Sequence, residues 1–192
     1  MTLLIAGLLL FLGAHSVRIV AEPWRAAQIA RRGEAPWKLA YSVVSIAGFA
    51  LLAYGFGVAR GAPVALWVAP VWTRHLAALL LLPAFVLVAA AYVPGNRIKA
   101  AVGHPMIAGV KVWAFAHLLA NGRLAAIVLF GAFLAWAIAD FIASRRRDRA
   151  AGTRHPSGTA ARDAITVIAG LVAFGLFAFV LHGPLIGVRP FG

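Results

Sequence analysis

The chain has 192 residues, of which 63% are hydrophobic and only 12% are charged, and its mean hydropathy is +0.91. A water-soluble domain cannot bury this much apolar surface, so the composition predicts an all-α membrane protein. The net charge is +13, but the 18 lysines and arginines lie between the apolar runs, which argues against a nucleic-acid-binding protein. Because the chain has no cysteine, disulfides, zinc–thiolate sites and thiol catalysis are excluded, and histidine is the only strong soft ligand left.

Six apolar runs predict six transmembrane helices in a single domain, residues 1–192. The first run follows an uncharged N-terminus, so we interpret it as a retained helix rather than a signal peptide, which would begin with positive charge. A polar loop is predicted at 22–38, between the first two helices. The predicted helices cover roughly 3–20, 39–59, 73–92, 103–122, 124–143 and 164–181.

The basic residues predict the orientation of the helices. Positive charge concentrates in the first, third and fifth loops, which the positive-inside rule places in the cytoplasm. Both termini are therefore predicted on the other side of the membrane. Topology and contact with anionic lipid account for the net charge, and no polymer partner is required. The loop cations are Arg25, Arg31, Arg32 and Lys38, then Arg97 and Lys99, then Arg145, Arg146, Arg147, Arg149, Arg154 and Arg162.

Two histidines, His15 and His117, fall inside the predicted first and fourth helices. At about 1.5 Å per residue, each lies roughly 18 Å from one end of its helix. Both are therefore expected near the midplane of a hydrocarbon core about 30 Å thick. Their helices run antiparallel, so the two imidazoles could face each other, as a haem held between two helices requires. The alternative is that each histidine is a polar group bonded to a neighbouring backbone carbonyl.

Charged and titratable residues near these histidines form a second set. Lys111 lies in the body of the fourth helix, Arg18 lies one turn beyond the first histidine, and Asp140 is the only acid inside a predicted span. A Lys111–Asp140 or Arg18–Asp140 ion pair is the structural interpretation. The functional alternative is that Lys111, Arg18 and His104 bind haem propionates. Otherwise His104 is expected to be hydrated at a helix end, and His155 to be solvated in a loop.

Several stretches resemble the NnrU family of bacterial membrane proteins, and together they span nearly the whole chain. The most specific is 103–122, which reads GHPMIAGVKVWAFAHLLANG. The others are LFG at 129–131, WA at 136–137, HSVR at 15–18, RHL at 74–76 and the arginine run after the fifth predicted helix.

The resemblance implies a multi-helix protein of the bacterial inner membrane associated with denitrification, the reduction of nitrite and nitric oxide. It also implies a relationship to the plant 15-cis-zeta-carotene isomerase, a membrane enzyme that uses haem b. The motif of that enzyme has histidines matching His15 and His117. It has a cysteine three residues before the second histidine, where this chain has Ala114, and bacterial members often have aspartate where it has Arg123.

Together, the residues and the resemblance predict a haem b protein with His15 and His117 as axial ligands. It would serve either isomerisation of a hydrophobic isoprenoid or redox support of denitrification, and its apolar core would equally fit a quinone. Two histidine ligands would occupy both axial positions of the iron, so substrate chemistry would require one histidine to leave. Permanent six-coordination instead suits electron transfer. The alternative is a non-catalytic membrane assembly or maturation factor whose histidines only pack helices.

Overall fold

The structure is a computed structural model that describes residues 1–191. Apart from two isolated bridges, the regular structure in this part of the chain is helical, which confirms the all-α prediction. In chain order the elements are α1 (Thr2–Val20), α2 (Glu22–Arg32), α3 (Glu34–Gly61), α4 (Val71–Tyr92), α5 (Arg97–Val102), α6 (Pro105–Ala120), α7 (Leu124–Ala151), α8 (Ala160–Gly175), a π-helical segment (Leu176–Leu181) and α9 (His182–Ile186).

Five helices within residues 1–191 are long and apolar enough to cross a bilayer: α1, α3, α4, α7 and the continuous run Ala160–Ile186. The remaining predicted span is α6, which is apolar but has only 16 residues. At about 1.5 Å per residue it is about 24 Å long, shorter than a hydrocarbon core of about 30 Å. Large apolar side chains point outward, among them Leu9 and Ile46, which are 71% and 69% exposed. The chain is therefore a multi-pass membrane protein.

The predicted polar loop at 22–38 is wrong, because it forms α2 and the first turn of α3. Pro23 occupies the start of α2, where its missing N–H would have no intrahelical partner. Gly33 separates the two helices with a φ of +89°, a backbone conformation that favours glycine.

Both helices beside the last polar loop are longer than predicted. α7 continues to Ala151, about two turns beyond residue 143. Its extension contains the run Arg145–Arg149, and arginine is a good helix former whose charge suits a helix C-terminus. α8 begins at Ala160, where the hydroxyl of Thr159 caps the helix by accepting a hydrogen bond from the Arg162 N–H.

The chain groups into two compact units, Met1–Val68 with Asn121–Asp140, and Ala69–Ala120 with Phe141–Gly192. In the first unit, α1 packs against α3 through glycines that let the two backbones approach closely. A Cβ atom on Gly48 of α3 would lie 2.8 Å from the Phe11 nitrogen, and Gly7 and Gly55 face the backbones of Leu52 and Leu4 in the same way.

In the second unit, α4 is the central helix and contacts both α6 and α8. Gly109 of α6 lies against α4, where a Cβ atom would be 2.9 Å from the Ala84 oxygen. Gly170 of α8 lies against another part of the same helix, where a Cβ atom would be 2.6 Å from the Val86 Cα. This packing positions α6, which carries both Lys111 and His117.

Candidate functional site

The imidazole of His15 is held by its own helix. Its Nδ1 atom lies 2.7 Å from the carbonyl oxygen of Phe11, one turn earlier in α1. Because a carbonyl oxygen can only accept, Nδ1 carries the proton in this bond. In the neutral ring, Nε2 then holds the lone pair, and this is the form of histidine that binds metals.

Aromatic rings from three helices of the first unit surround His15. The Phe11 centroid lies 4.2 Å from the imidazole centroid, that of Tyr41 on α3 lies at 5.2 Å, and that of Trp136 on α7 lies at 5.9 Å. The Trp136 Nε1 atom is buried without a hydrogen-bond partner among the described residues. His15 therefore lies in a largely apolar, aromatic setting. Sequence analysis noted Trp136 only as part of a motif.

His117 repeats the arrangement of His15. Its Nδ1 atom lies 2.8 Å from the carbonyl oxygen of Trp113, again one turn earlier in the same helix. The Trp113 ring centroid lies 5.1 Å from that of the imidazole, so these two residues share one face of α6, as their spacing predicts. The neighbouring Ala114 and Ala116 are fully buried. The same proton assignment again leaves the lone pair on Nε2.

The two histidines thus offer the same donor chemistry, a neutral imidazole oriented by a backbone carbonyl. Metal-bound histidines commonly donate their other N–H to a carbonyl or carboxylate in this way. Within residues 1–191, no group of three or more histidine, aspartate or glutamate side chains is placed to hold a metal ion. Each histidine by itself offers one neutral imidazole nitrogen, which is what an axial ligand of a haem iron requires.

The two cations proposed to bind propionates have different surroundings. The Lys111 ammonium lies 3.5 Å from the centroid of the Phe141 ring, a cation–π contact. Arg18 forms an i,i+4 ion pair with Glu22 at 3.9 Å, and its side chain is 59% exposed. Binding of propionate by either residue, and pairing of either with Asp140, stay predictions.

His104 belongs to a different cluster, at the end of α7. Its Nε2 atom lies 2.8 Å from Oδ2 of Asp148, and the Nε2 atom of His155 lies 3.4 Å from the same oxygen. The two imidazoles are nearly perpendicular, with centroids 6.1 Å apart. The expectation that both histidines are simply hydrated is wrong, because their side chains are only 24% and 22% exposed. The reason is the longer α7, which brings Asp148 to them.

Comparison with known protein families identifies the family of this chain. A family profile described as NnrU protein matches residues 3–190. The chain belongs to the NnrU family. No curated protein matches it, and no solved structure does. Membership confirms the resemblance carried by the stretch 103–122 and the other motifs.

The first residue of this NnrU stretch, Gly103, has a structural role beside His104. Its φ is +77°, and a Cβ atom there would lie 3.0 Å from Nη1 of Arg145 and 3.1 Å from Nε2 of His155. Glycine is therefore favoured both by the backbone conformation and by the close side chains. The sequence signal for this cluster is the single aspartate, Asp148, inside an arginine run, which sequence reasoning treated only as a charged loop.

Proposed function

We propose that this NnrU-family protein binds one haem b in the membrane, with His15 and His117 as the axial ligands of the iron. The observation that carries the proposal is the matching hydrogen bond of the two rings. In each, Nδ1 is bonded to the carbonyl four residues earlier, so that Nε2 is the metal-binding nitrogen. The family resemblance at both positions supports the same pair.

Arg18 and Lys111 are the residues that we propose for the two haem propionates. Both are cations in the same helix as a proposed ligand, Arg18 three residues after His15 and Lys111 six residues before His117. His104 was the third candidate, but its Nε2 atom already bonds Asp148. Contact of His104 with a propionate through that nitrogen would break the bond, so we assign His104 to the Asp148 cluster.

The residues of the chain would orient the ligands and exclude water. The carbonyls of Phe11 and Trp113 fix the planes and tautomers of the two imidazoles, and the rings of Tyr41 and Trp136 shield His15. Haem b supplies one-electron redox chemistry when bound, and an open iron position only if an axial ligand leaves.

Electron transfer is the activity that this arrangement supports best. Each ring is anchored by the same kind of hydrogen bond, from Nδ1 to a backbone carbonyl. Both rings are therefore suited to remain on the iron through a redox cycle, which keeps the structural reorganisation of the site small. We therefore favour redox support of denitrification, with a membrane quinone as the apolar electron donor. Haem-dependent isomerisation of a hydrophobic isoprenoid is the second candidate, which the family relationship supports. It would require one histidine–iron bond to break.

An absorbance spectrum of the purified full-length protein tests the proposal. We expect a Soret band and, after reduction, sharp α and β bands. His15→Ala and His117→Ala should each lose the haem or become five-coordinate. The matched control is His75→Ala, which changes an exposed histidine of α4 and should leave the spectrum unchanged.

A colourless protein from haem-supplied cells would contradict the proposal. It would favour the alternative, a non-catalytic assembly or maturation factor, because a histidine that only packs helices is also satisfied by a bond from Nδ1 to a carbonyl. In that case His15→Ala would alter stability with no spectral change to accompany it.

A further inference from the structure

The short helix α2 turns small and aromatic side chains outward. The side chains of Arg25, Gln28 and Ile29 are half-buried, and α2 buries no residue fully. In water, an amphipathic helix turns a mainly apolar face inward, whereas the half-buried side of α2 is mostly polar. The exposed residues of α2 are Pro23, Trp24, Ala26, Ala27 and Ala30, together with the two arginines at its C-terminal end.

α2 is fixed where α1 ends and α3 begins, and it contacts both helices. Glu22, its first residue, accepts a hydrogen bond of 2.9 Å from Nη1 of Arg25 and lies 3.9 Å from Nε of Arg18 on α1. The ring of Trp24 meets that of Trp37 on α3 edge to face, with centroids 5.6 Å apart. Tryptophan is enriched at the level of lipid headgroups, and this pair lies close to the end of α1 and the start of α3.

The C-terminal end of α2 carries two exposed arginines, Arg31 and Arg32. The ion pairs found among residues 1–191 involve neither of them. A pair of cations next to an outward apolar face is the combination that binds a surface that is both apolar and anionic. A loop in water would carry the charges without an outward apolar face, and a membrane span would carry apolar side chains without the charges.

We propose that α2 lies in the plane of the membrane surface, in the leaflet where α1 ends. Its alanine face would contact the upper part of the acyl chains, and Arg31 and Arg32 would bind the phosphates of anionic phospholipids. With 11 residues, α2 is about 16 Å long, which is too short to cross the bilayer. This proposal is independent of haem binding, because it concerns a helix that carries neither proposed ligand.

Single-cysteine labelling tests the position of α2, since the natural chain has no cysteine. Full-length protein carrying Ala27→Cys is spin-labelled and placed in nanodiscs of phosphatidylcholine and phosphatidylglycerol. We expect its label to collide more with oxygen, which concentrates in lipid, than with a water-soluble nickel chelate. Ser157→Cys, in the exposed loop before α8, is the control and should show the reverse.

Two results at position 27 would overturn the proposal. A label as accessible to the nickel chelate as that at position 157 would place α2 in water. A label shielded from both reagents would place the face against protein, as a second copy of the chain or another partner would do.

The role of Arg31 and Arg32 is tested at the same position. A fluorophore attached to the Ala27→Cys variant is quenched by brominated phosphatidylglycerol or brominated phosphatidylcholine, and the ratio measures the local lipid preference. Arg31→Gln with Arg32→Gln should reduce the preference for the anionic lipid by roughly fivefold for each arginine.

The matched control is Arg146→Gln with Arg149→Gln, which removes the same charge from exposed positions on α7. This control should leave the ratio at position 27 nearly unchanged. An equal fall in both double variants, or no fall in either, would overturn the assignment of the two α2 arginines to lipid phosphate.

Discussion

Replacing Gly48 with alanine should destabilise the first unit and disturb His15. Gly48 lies on the face of α3 that packs against α1, and its added Cβ atom would be 2.8 Å from the nitrogen and 3.0 Å from the Cα of Phe11. Both of these are backbone atoms, so they cannot turn aside as a flexible side chain could. The helices must separate, and Phe11 carries the carbonyl that anchors His15.

The magnitude follows from two opposing terms. Forcing an extra methyl group into packed helices costs about 1–3 kcal/mol. Alanine also favours the helix over glycine by about 0.5–1 kcal/mol. We therefore expect Gly48→Ala to lower the free energy of unfolding by roughly 0.5–2 kcal/mol. The control is Gly57→Ala on the same helix, where nothing lies within 4 Å of the added atom, so only the favourable term remains.

Unfolding in mixed detergent micelles, followed by tryptophan fluorescence, measures both variants. Gly48→Ala should unfold at a lower denaturant concentration than the natural protein, and Gly57→Ala at the same or a higher one. In haem-loaded protein, Gly48→Ala should also shift the Soret band. Equal stability of the two variants would refute the close α1–α3 packing.

Two further predictions concern the second unit and the orientation. Asp148→Asn should weaken the hydrogen bonds to His104 and His155, so that trypsin cleaves after Arg154 severalfold faster. The masses of the fragments measure this rate. The control is Lys38→Gln, which breaks the exposed ion pair with Glu34 and should leave the rate unchanged. A reporter active only in the cytoplasm should work when fused within the loop after Ala151 and fail at the C-terminus, whereas the reverse result would invert the predicted orientation.

The spans could be predicted from sequence because lipid solvation imposes long apolar runs, and these runs are continuous in the chain. The elements outside the hydrocarbon core were harder to predict. α2 is short and polar on average, so hydropathy indicated a loop, although Pro23 and Gly33 mark its two ends. The charged run predicts a loop after residue 143, but charge ends only the apolar part of α7, and the helix itself continues to Ala151.

The contacts of the candidate site likewise differ in whether the sequence predicts them. The bond from His117 to Trp113 is local, and the spacing along α6 placed both residues on one face. The approach of Tyr41 and Trp136 to His15, and that of Asp148 to His104, depends on packing between distant segments. One sequence, read without relatives, contains no signal for such contacts beyond the presence of an aromatic or an acidic residue in an unusual place.

The central claim, that two histidines of this chain hold one iron, is tested most directly by electron–nuclear double resonance. The oxidised protein would be purified from cells supplied with ¹⁵N-labelled histidine. We predict a low-spin iron signal coupled to the nitrogens of two histidine rings, with His15→Ala and His117→Ala each removing one of them. Coupling to a single histidine, or to none, would contradict the account.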